Sequence, residues 1–323
     1  MVISVKNLSK EYSVFQKETG LSGTLKSLFN RKYETVKAVD DISFEIEEGE
    51  LVGFIGPNGA GKTTTLKCLS GVLYPSSGKT EILGFNPNER KKAFLKQIGL
   101  VMGQKNQLWW DLPAVDTFIL QKEIYEISDS RYNKTLGDLL DLLDAKDIIK
   151  IPVKKLSLGQ RMKMEIVTSL LHNPKILFLD EPTIGLDVVM QQKLREFIKE
   201  YNNKYQSTIL LTSHYMNDVE ELCKRVIVIN HGKILYDGVL SNLVHEYSPY
   251  KNIRITFKDN VEPNKFTKFG EVEKYAYPQL ELFIKRDEVS SAVSKILSDY
   301  EVEDINIEDP EIEDVIRKVF GGE

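Results

Sequence analysis

Apolar and polar residues alternate through Val2-Ile3-Ser4-Val5 and again through Ile42-Ser43-Phe44-Glu45-Ile46, the two-residue period of strands with one buried face. Between them, residues 13–37 are less regular. Gly20 and Gly23 interrupt the pattern, Leu25-Lys26-Ser27-Leu28-Phe29 reads as a short amphipathic helix, and basic Arg31 and Lys32 follow, so this stretch reads as an insertion. From Leu51 the pattern becomes a continuous apolar strand, a Gly-rich turn and a helix. Similar strands recur at Lys175-Ile176-Leu177-Phe178-Leu179 and Thr208-Ile209-Leu210-Leu211-Thr212. Fully apolar strands alternating with helices predict a mainly parallel sheet covered on both faces. Residues 112–172 carry mostly helix-period segments, including Leu136 to Leu143, and read as a helical subdomain inside the α/β core. After Gly238 the character changes again. Ile253-Arg254-Ile255-Thr256-Phe257 and Leu280-Glu281-Leu282-Phe283-Ile284 predict strands, and Val289 to Leu297 and Glu311 to Val319 predict helices, forming a small α+β appendage from about residue 241. No internal repeat or low-complexity tract is present.

Composition narrows the class of protein. The chain has 323 residues, 41% hydrophobic and 28% charged, an ordinary globular balance that excludes a disordered, collagenous or disulfide-scaffold chain. No apolar run approaches the roughly 18 residues that cross a bilayer. The N-terminus shows no basic region followed by an apolar block, so a cytoplasmic location is expected. Cys68 and Cys223 sit in apolar surroundings and are expected to be reduced packing residues. The net charge of −5 is uneven: it is −6 from Tyr250 onward and about +1 before it. Between Glu301 and Asp314 there are eight acids and no base, which argues against nucleic acid as a partner and reads as a solvated face.

The chemistry concentrates in three places. Gly56-Pro57-Asn58-Gly59-Ala60-Gly61-Lys62-Thr63-Thr64 follows the strand Leu51 to Ile55 and precedes a helical run, the context of a phosphate-binding loop. Its glycines let backbone N–H groups turn toward phosphates, the helix offers its positive end, Lys62 adds a point charge, and Thr63 is placed to ligate Mg²⁺. At the end of a second apolar strand, Asp180 is suited to hold Mg²⁺ and the adjacent Glu181 to polarise an attacking water. The third place is Leu156-Ser157-Leu158-Gly159-Gln160-Arg161, lying between the other two.

With these three elements in this order, residues 1 to about 240 resemble the ATP-binding subunits of ABC transporters, whose signature is Leu-Ser-Gly-Gly-Gln. The resemblance implies an α/β fold: a P-loop NTPase core with an N-terminal antiparallel β subdomain and an inserted α-helical subdomain at about 105–172. Residues 241–323 then form a small α+β accessory domain. It implies ATP and Mg²⁺ as cofactors. It also gives roles to further residues. Gln104 would touch Mg²⁺ and the water and report to a membrane partner, and His214 would hold the outer phosphate. Tyr12 would stack on adenine, with Ser157, Gly159 and Gln160 meeting a nucleotide held by the second subunit of a dimer. Asp187, in Gly185-Leu186-Asp187, would cross the dimer interface. The implied partners are a second ATPase subunit and a transmembrane permease that holds the chain at the inner face of the membrane.

Two positions depart from the family pattern: Leu158 replaces a glycine in the signature, and Gly103 precedes Gln104 where proline is common. The variant signature, Gln107-Leu108-Trp109-Trp110-Asp111-Leu112-Pro113 and Thr183-Ile184-Gly185-Leu186-Asp187 are similar to one branch, the type 2 exporters related to drug- and viologen-efflux ATPases. The ending Ile307 to Val315 is similar to that branch's C-terminal motif. The 13–37 insertion is also similar to ATPases of polysaccharide exporters, which usually depart further in the signature and often carry a larger β-sandwich tail. Soluble members of the family, with long coiled coils or tandem ATPase units, fit less well. Trp109 and Trp110 sit beside the loop that in the family lines the permease groove; as groove anchors or as core of the helical subdomain, one is expected buried and one near the groove.

Overall fold

The computed structural model describes residues 1–15, 33–103, 107–213, 215–310 and 312–321. The chain divides into two compact units, Met1–Asp237 and Gly238–Glu323.

In the first unit, β1 (Ile3–Phe15) lies between β2 (Tyr33–Ile46) and β4 (Ser77–Ile82) in an antiparallel three-stranded sheet, with Ile3 opposite both Ile46 and Ile82. The flanks of the expected insertion are strand: Ser13 pairs with Thr35 and Phe15 with Tyr33, extending the β1–β2 ribbon. Tyr12, Val14, Val36 and Tyr33 along it are exposed, so no buried face marked the extension in the sequence. The short helix expected at Leu25–Phe29 lies outside the described residues.

The second sheet has six strands in the order β5-β6-β7-β3-β8-β9: β3 (Leu51–Ile55), β5 (Ile98–Met102), β6 (Ile176–Asp180), β7 (Thr208–Thr212), β8 (Arg225–Asn230) and β9 (Lys233–Val239). The β5–β6, β6–β7, β7–β3 and β3–β8 pairs are all parallel. All carboxyl ends of these five strands therefore face one edge, where open α/β sheets bind ligands. Val52, Phe54, Phe178, Leu210 and Ile227 join Ile3, Val5, Phe44, Ile46 and Ile82 of the smaller sheet in one core. Helix α1 (Lys62–Leu69) contributes Leu66 and Leu69 to it. One helix thus packs against both sheets, which fixes the loop preceding it.

Between β5 and β6 run α3 (Ala114–Ile124), α4 (Asp129–Leu142) and α5 (Leu158–Leu170); the short α2 (Lys92–Leu95) precedes β5. α5 starts with a capping box, in which the Ser157 hydroxyl accepts from the Gln160 N–H and the Gln160 amide oxygen accepts from the Ser157 N–H. Every residue from Met162 to Leu170 on it is buried. The tryptophans differ from expectation. Trp109 and Trp110 are 52% and 48% exposed, and Leu108 is the buried anchor. The turn they occupy closes through its backbone, with Leu112 N–H donating to Trp109 O and Lys154 N–H to Trp110 O, so both indoles project outward. The Arg161 guanidinium lies 6.0 Å from the Trp110 ring centre. After β6 come α6 (Val188–Tyr205) and, after β7, α7 (Met216–Leu222). Both cysteines are buried free thiols.

The second unit contains an antiparallel sheet in the order β11-β12-β10-β13: β10 (Tyr250–Phe257), β11 (Glu271–Ala276), β12 (Gln279–Lys285) and β13 (Val302–Glu308). Ile253, Ile255, Leu280, Leu282 and Ile284 pack with Val289, Ala292 and Ile296 of α9 (Val289–Asp299). Alternate strand residues and i, i+3, i+7 helix residues build this core, as the sequence periodicity requires. α8 (Leu240–Tyr247) packs against α10 (Ile312–Gly321). The acidic Glu301, Glu303, Asp304 and Glu308 are exposed; Asp309 pairs with Lys251 and Arg286. Among the described residues no helix is long and apolar enough to cross a membrane.

Candidate active site

The Gly56–Thr64 loop leaves β3 at the carboxyl edge of the six-stranded sheet. Two close approaches fix its course. A Cβ at Gly56 would lie 2.2 Å from Ile229 O on β8, and one at Gly61, whose φ is +110°, would lie 2.4 Å from Ala38 O on β2. Asn58 and Gly59 stand exposed at the tip, while Ala60, Gly61 and Lys62 are buried. The Lys62 ammonium is folded into the loop, donating to Gly56 O at 2.6 Å and Pro57 O at 3.1 Å. Burial lowers its pKa, opposed by the charges of Glu181 and Asp180. A cation held by two carbonyls at the mouth of an N–H-lined loop is suited to exchange those carbonyls for phosphate oxygens.

Asp180 ends β6, two strands from β3 in the sheet. Its carboxylate accepts from the Thr63 hydroxyl at 3.0 and 2.9 Å and from the Thr212 hydroxyl at 2.8 Å. The hydroxyl of Thr63 and the carboxylate of Asp180 are hard oxygen donors already in contact, the ligand type that suits Mg²⁺. Among the described residues no cluster of three or more His, Cys, Asp or Glu side chains could hold a metal alone.

Glu181 follows with φ +53°, a conformation a non-glycine residue holds only when its surroundings enforce it. Its N–H donates to Thr212 O at 3.0 Å and to Thr212 Oγ1 at 3.1 Å. On the other side, Gly103 N–H donates to Asp180 O at 2.8 Å, and a Cβ at Gly103 would stand 2.1 Å from Glu181 O. The glycine that departs from the family pattern is the residue this close approach requires. Thr212 has no role in the sequence reading; its position at the end of an apolar strand, two residues before His214, was the available signal.

Ser157, Gly159, Gln160 and Asp187 form a second group. Asp187 caps α6 by accepting from Met190 N–H at 2.9 Å, and a Cβ at Gly159 would meet Met190 Cγ at 2.9 Å. Leu158, 37% exposed, lies against Gly185, where a Cβ would come within 3.0 Å of its Cδ2. The signature and the 185–190 segment therefore share one surface, with Val188 and Val189 exposed beside it. Tyr12 lies on β1 with its side chain partly exposed and Lys10 Nζ 5.2 Å from its ring centre. Gln104 and His214 lie outside the described residues.

Comparison with known proteins identifies the family and the fold. The ABC transporter family model matches residues 39–184, and the model described as "EvrA-like ABC transporter, C-terminal domain" matches residues 249–308. The chain is similar to the ABC transporter ATP-binding protein NatA of Bacillus subtilis, 36% identical over 215 residues, covering 67% of this chain and 87% of NatA. It is 31% identical over 226 residues to the bacitracin transport ATP-binding protein BcrA of Bacillus licheniformis, covering 70% of this chain and 72% of BcrA. Among solved structures, an ATP-binding subunit of an ABC transporter superposes with TM-score 0.63 at 24% identity, covering 76% of this chain and 93% of that one. A dimeric ATP-binding cassette in a post-hydrolysis state with ADP and Pi gives 0.61 at 24%, covering 73% and 98%; both are likenesses of fold. With the phosphate loop, the Asp180-Glu181 pair and the signature in the family's order, the chain belongs to the ATP-binding ATPase proteins of ABC transporters.

Proposed function

We propose that this ATPase powers export through a separate transmembrane permease, binding Mg-ATP at two composite sites in a dimer of identical chains. The observation that carries the hydrolytic part is the contact of Thr63 with Asp180 beside the buried Lys62 and the constrained Glu181. Lys62 and the backbone N–H groups of the Gly56–Thr64 loop, which Pro57 lacks, bind the phosphates, and Tyr12 stacks on the base. Thr63, Asp180 and Gln104 would hold Mg²⁺, which would neutralise charge on the outer phosphates. Glu181 accepts the proton of the water that attacks the γ-phosphorus as the bond to ADP breaks, and His214 holds the departing phosphate. Ser157, Gly159 and Gln160 address the nucleotide of the second subunit, and Asp187 meets that subunit at the interface. One phosphate loop and one signature per chain support two sites shared by two chains in two-fold arrangement.

The exposed Trp109, Trp110, Leu112, Ile119 and Ile124 support a permease-docking face on the helical subdomain. Near this subdomain, a cavity of about 480 Å³ lined by Val72, Leu100, Met102, Gln107, Tyr125 and His172 offers a socket for a cytoplasmic helix of the permease. Docking there would hold the chain at the inner face of the membrane. The similarity to BcrA, a bacitracin transport ATP-binding protein, supports a drug-type exporter. Among its described residues the second unit holds one four-stranded sheet, which favours this over a polysaccharide exporter with a β-sandwich tail. Affinity purification from the native membrane tests the reading. Co-purification of a six-helix membrane protein is expected, whereas a substrate-binding protein in the complex would indicate import.

A further inference from the structure

Behind the hydrolytic centre, Asp218 of α7 is completely buried and collects side chains from three other segments. Its Oδ2 accepts from the Thr183 hydroxyl at 2.5 Å and the Ser213 hydroxyl at 2.6 Å. Its Oδ1 accepts from Arg195 of α6 at 3.0 Å, and the Nε of Arg195 lies 3.1 Å from Glu221. The two hydroxyls come from the loops that follow adjacent strands β6 and β7. Thr183 is two residues beyond Glu181, and Ser213 follows Thr212, the residue that holds both the Asp180 carboxylate and the Glu181 N–H. Both hydroxyl donors are buried to 1% exposure, and hydrogen bonds of this length to a buried carboxylate are the strong, charge-assisted kind.

We propose that Asp218 is a positioning residue for hydrolysis, tying the Glu181 loop and the end of β7 to a single carboxylate oxygen. The Arg195 pair joins α6 to α7; the two hydroxyls add a clamp between the segments that carry Glu181 and Thr212. A left-handed backbone at Glu181 persists only where its neighbours over-determine it. Thr212 fixes its N–H side, and the Thr183 tie fixes the chain two residues further on. Asp218 touches no reacting atom in this scheme. It sets where the Glu181 carboxylate stands relative to Asp180.

The inference rests on the reading of Glu181 as the proton acceptor, so its test separates the two. In the full-length protein, Thr183→Val removes one hydroxyl at nearly constant volume and leaves the Arg195–Asp218 pair intact. Ser213→Ala removes the other. Steady-state ATP hydrolysis, the KM for ATP and thermal melting are measured for both, for Thr183→Ser as the conservative variant, and for Glu181→Gln. Expected are a kcat at least tenfold lower in Thr183→Val and Ser213→Ala with KM within threefold of wild type, and recovery of kcat to within threefold in Thr183→Ser. If Glu181→Gln is inactive while Thr183→Val and Ser213→Ala both keep kcat within threefold, the positioning role is overturned. It is equally overturned if Thr183→Ser is as slow as Thr183→Val, or if KM rises in step with the loss of kcat. Turnover near the wild-type rate in Glu181→Gln overturns the proton-acceptor reading instead.

Discussion

Replacing Gly103 by alanine puts a single methyl group where two strand ends meet. The added Cβ would stand 2.1 Å from Glu181 O, 3.0 Å from Glu181 C and 3.1 Å from Ile184 Cγ2. Reaching even a 3.0 Å contact requires relative movement of about 0.9 Å, and both partners are restrained. Glu181 is held by two bonds from its N–H to Thr212, and Gly103 by its own N–H to Asp180 O. Relief therefore comes from displacing the Asp180-Glu181 segment or breaking one of these bonds. Overpacking of this kind costs about 1–3 kcal/mol, within the roughly 5–15 kcal/mol that keeps a domain folded. Thermal melting should fall by about 2–4 °C per kcal/mol lost. A misplacement near 1 Å at a reacting group costs on the order of 10²-fold in rate. The phosphate loop rests on β3, β8 and β2 rather than on Gly103, so ATP affinity should be nearly unchanged. Phosphate release at saturating Mg-ATP should show a kcat about two orders of magnitude lower for Gly103→Ala. A kcat within threefold of wild type, with unaltered melting, would refute the claim that this close approach positions Glu181.

Burial raises the Glu165 carboxyl to about 7, against the pull of Arg161 and a hydrogen bond from the Gln107 backbone. The folded state thus holds this proton more tightly than the unfolded chain, whose value is near 4.5, and the resulting stabilisation is complete below pH 4.5 and lost as pH rises through 7. Glu165→Gln should raise the thermal midpoint at pH 8, by at most about 3 kcal/mol of stability, with the gain vanishing toward pH 4.5; an equal gain at pH 5 and pH 8 would contradict this. For the dimer, mixing Lys62→Ala chains with Ser157→Arg chains creates one composite site with both lesions and one intact. Single-turnover hydrolysis in the mixture should exceed that of either mutant homodimer, and no increase would argue against shared sites.

The core strands were legible because parallel strands buried on both faces read as unbroken apolar runs: Ile176–Asp180 and Thr208–Thr212 are buried at every position. The second unit was legible for the complementary reason, since β10 and β12 alternate and α9 keeps a helical period. The β1–β2 extension was not, because both of its faces are largely exposed there and its residues carry no burial pattern. At the site, local spacing was enough to propose Lys62, Thr63, Asp180 and Glu181, and the structure brings Thr63 into contact with Asp180. Asp218 could not be proposed this way, because an acid on an acid-rich helix reads as solvent-facing, and its donors are 23, 35 and five residues away in the chain. Glu165 was hidden similarly, four residues from Arg161 in what resembles a surface ion pair.

The central claim is that Glu181 takes the water's proton at an ATP site completed by a second copy of the chain. The most direct test is Glu181→Gln at saturating Mg-ATP, scored for phosphate release and for oligomeric state by size-exclusion chromatography with multi-angle light scattering. The amide keeps the side chain's shape, removes a negative charge near the phosphates and cannot accept the proton. The account predicts loss of turnover with a dimer that retains unhydrolysed ATP; steady-state hydrolysis near the wild-type rate would contradict it.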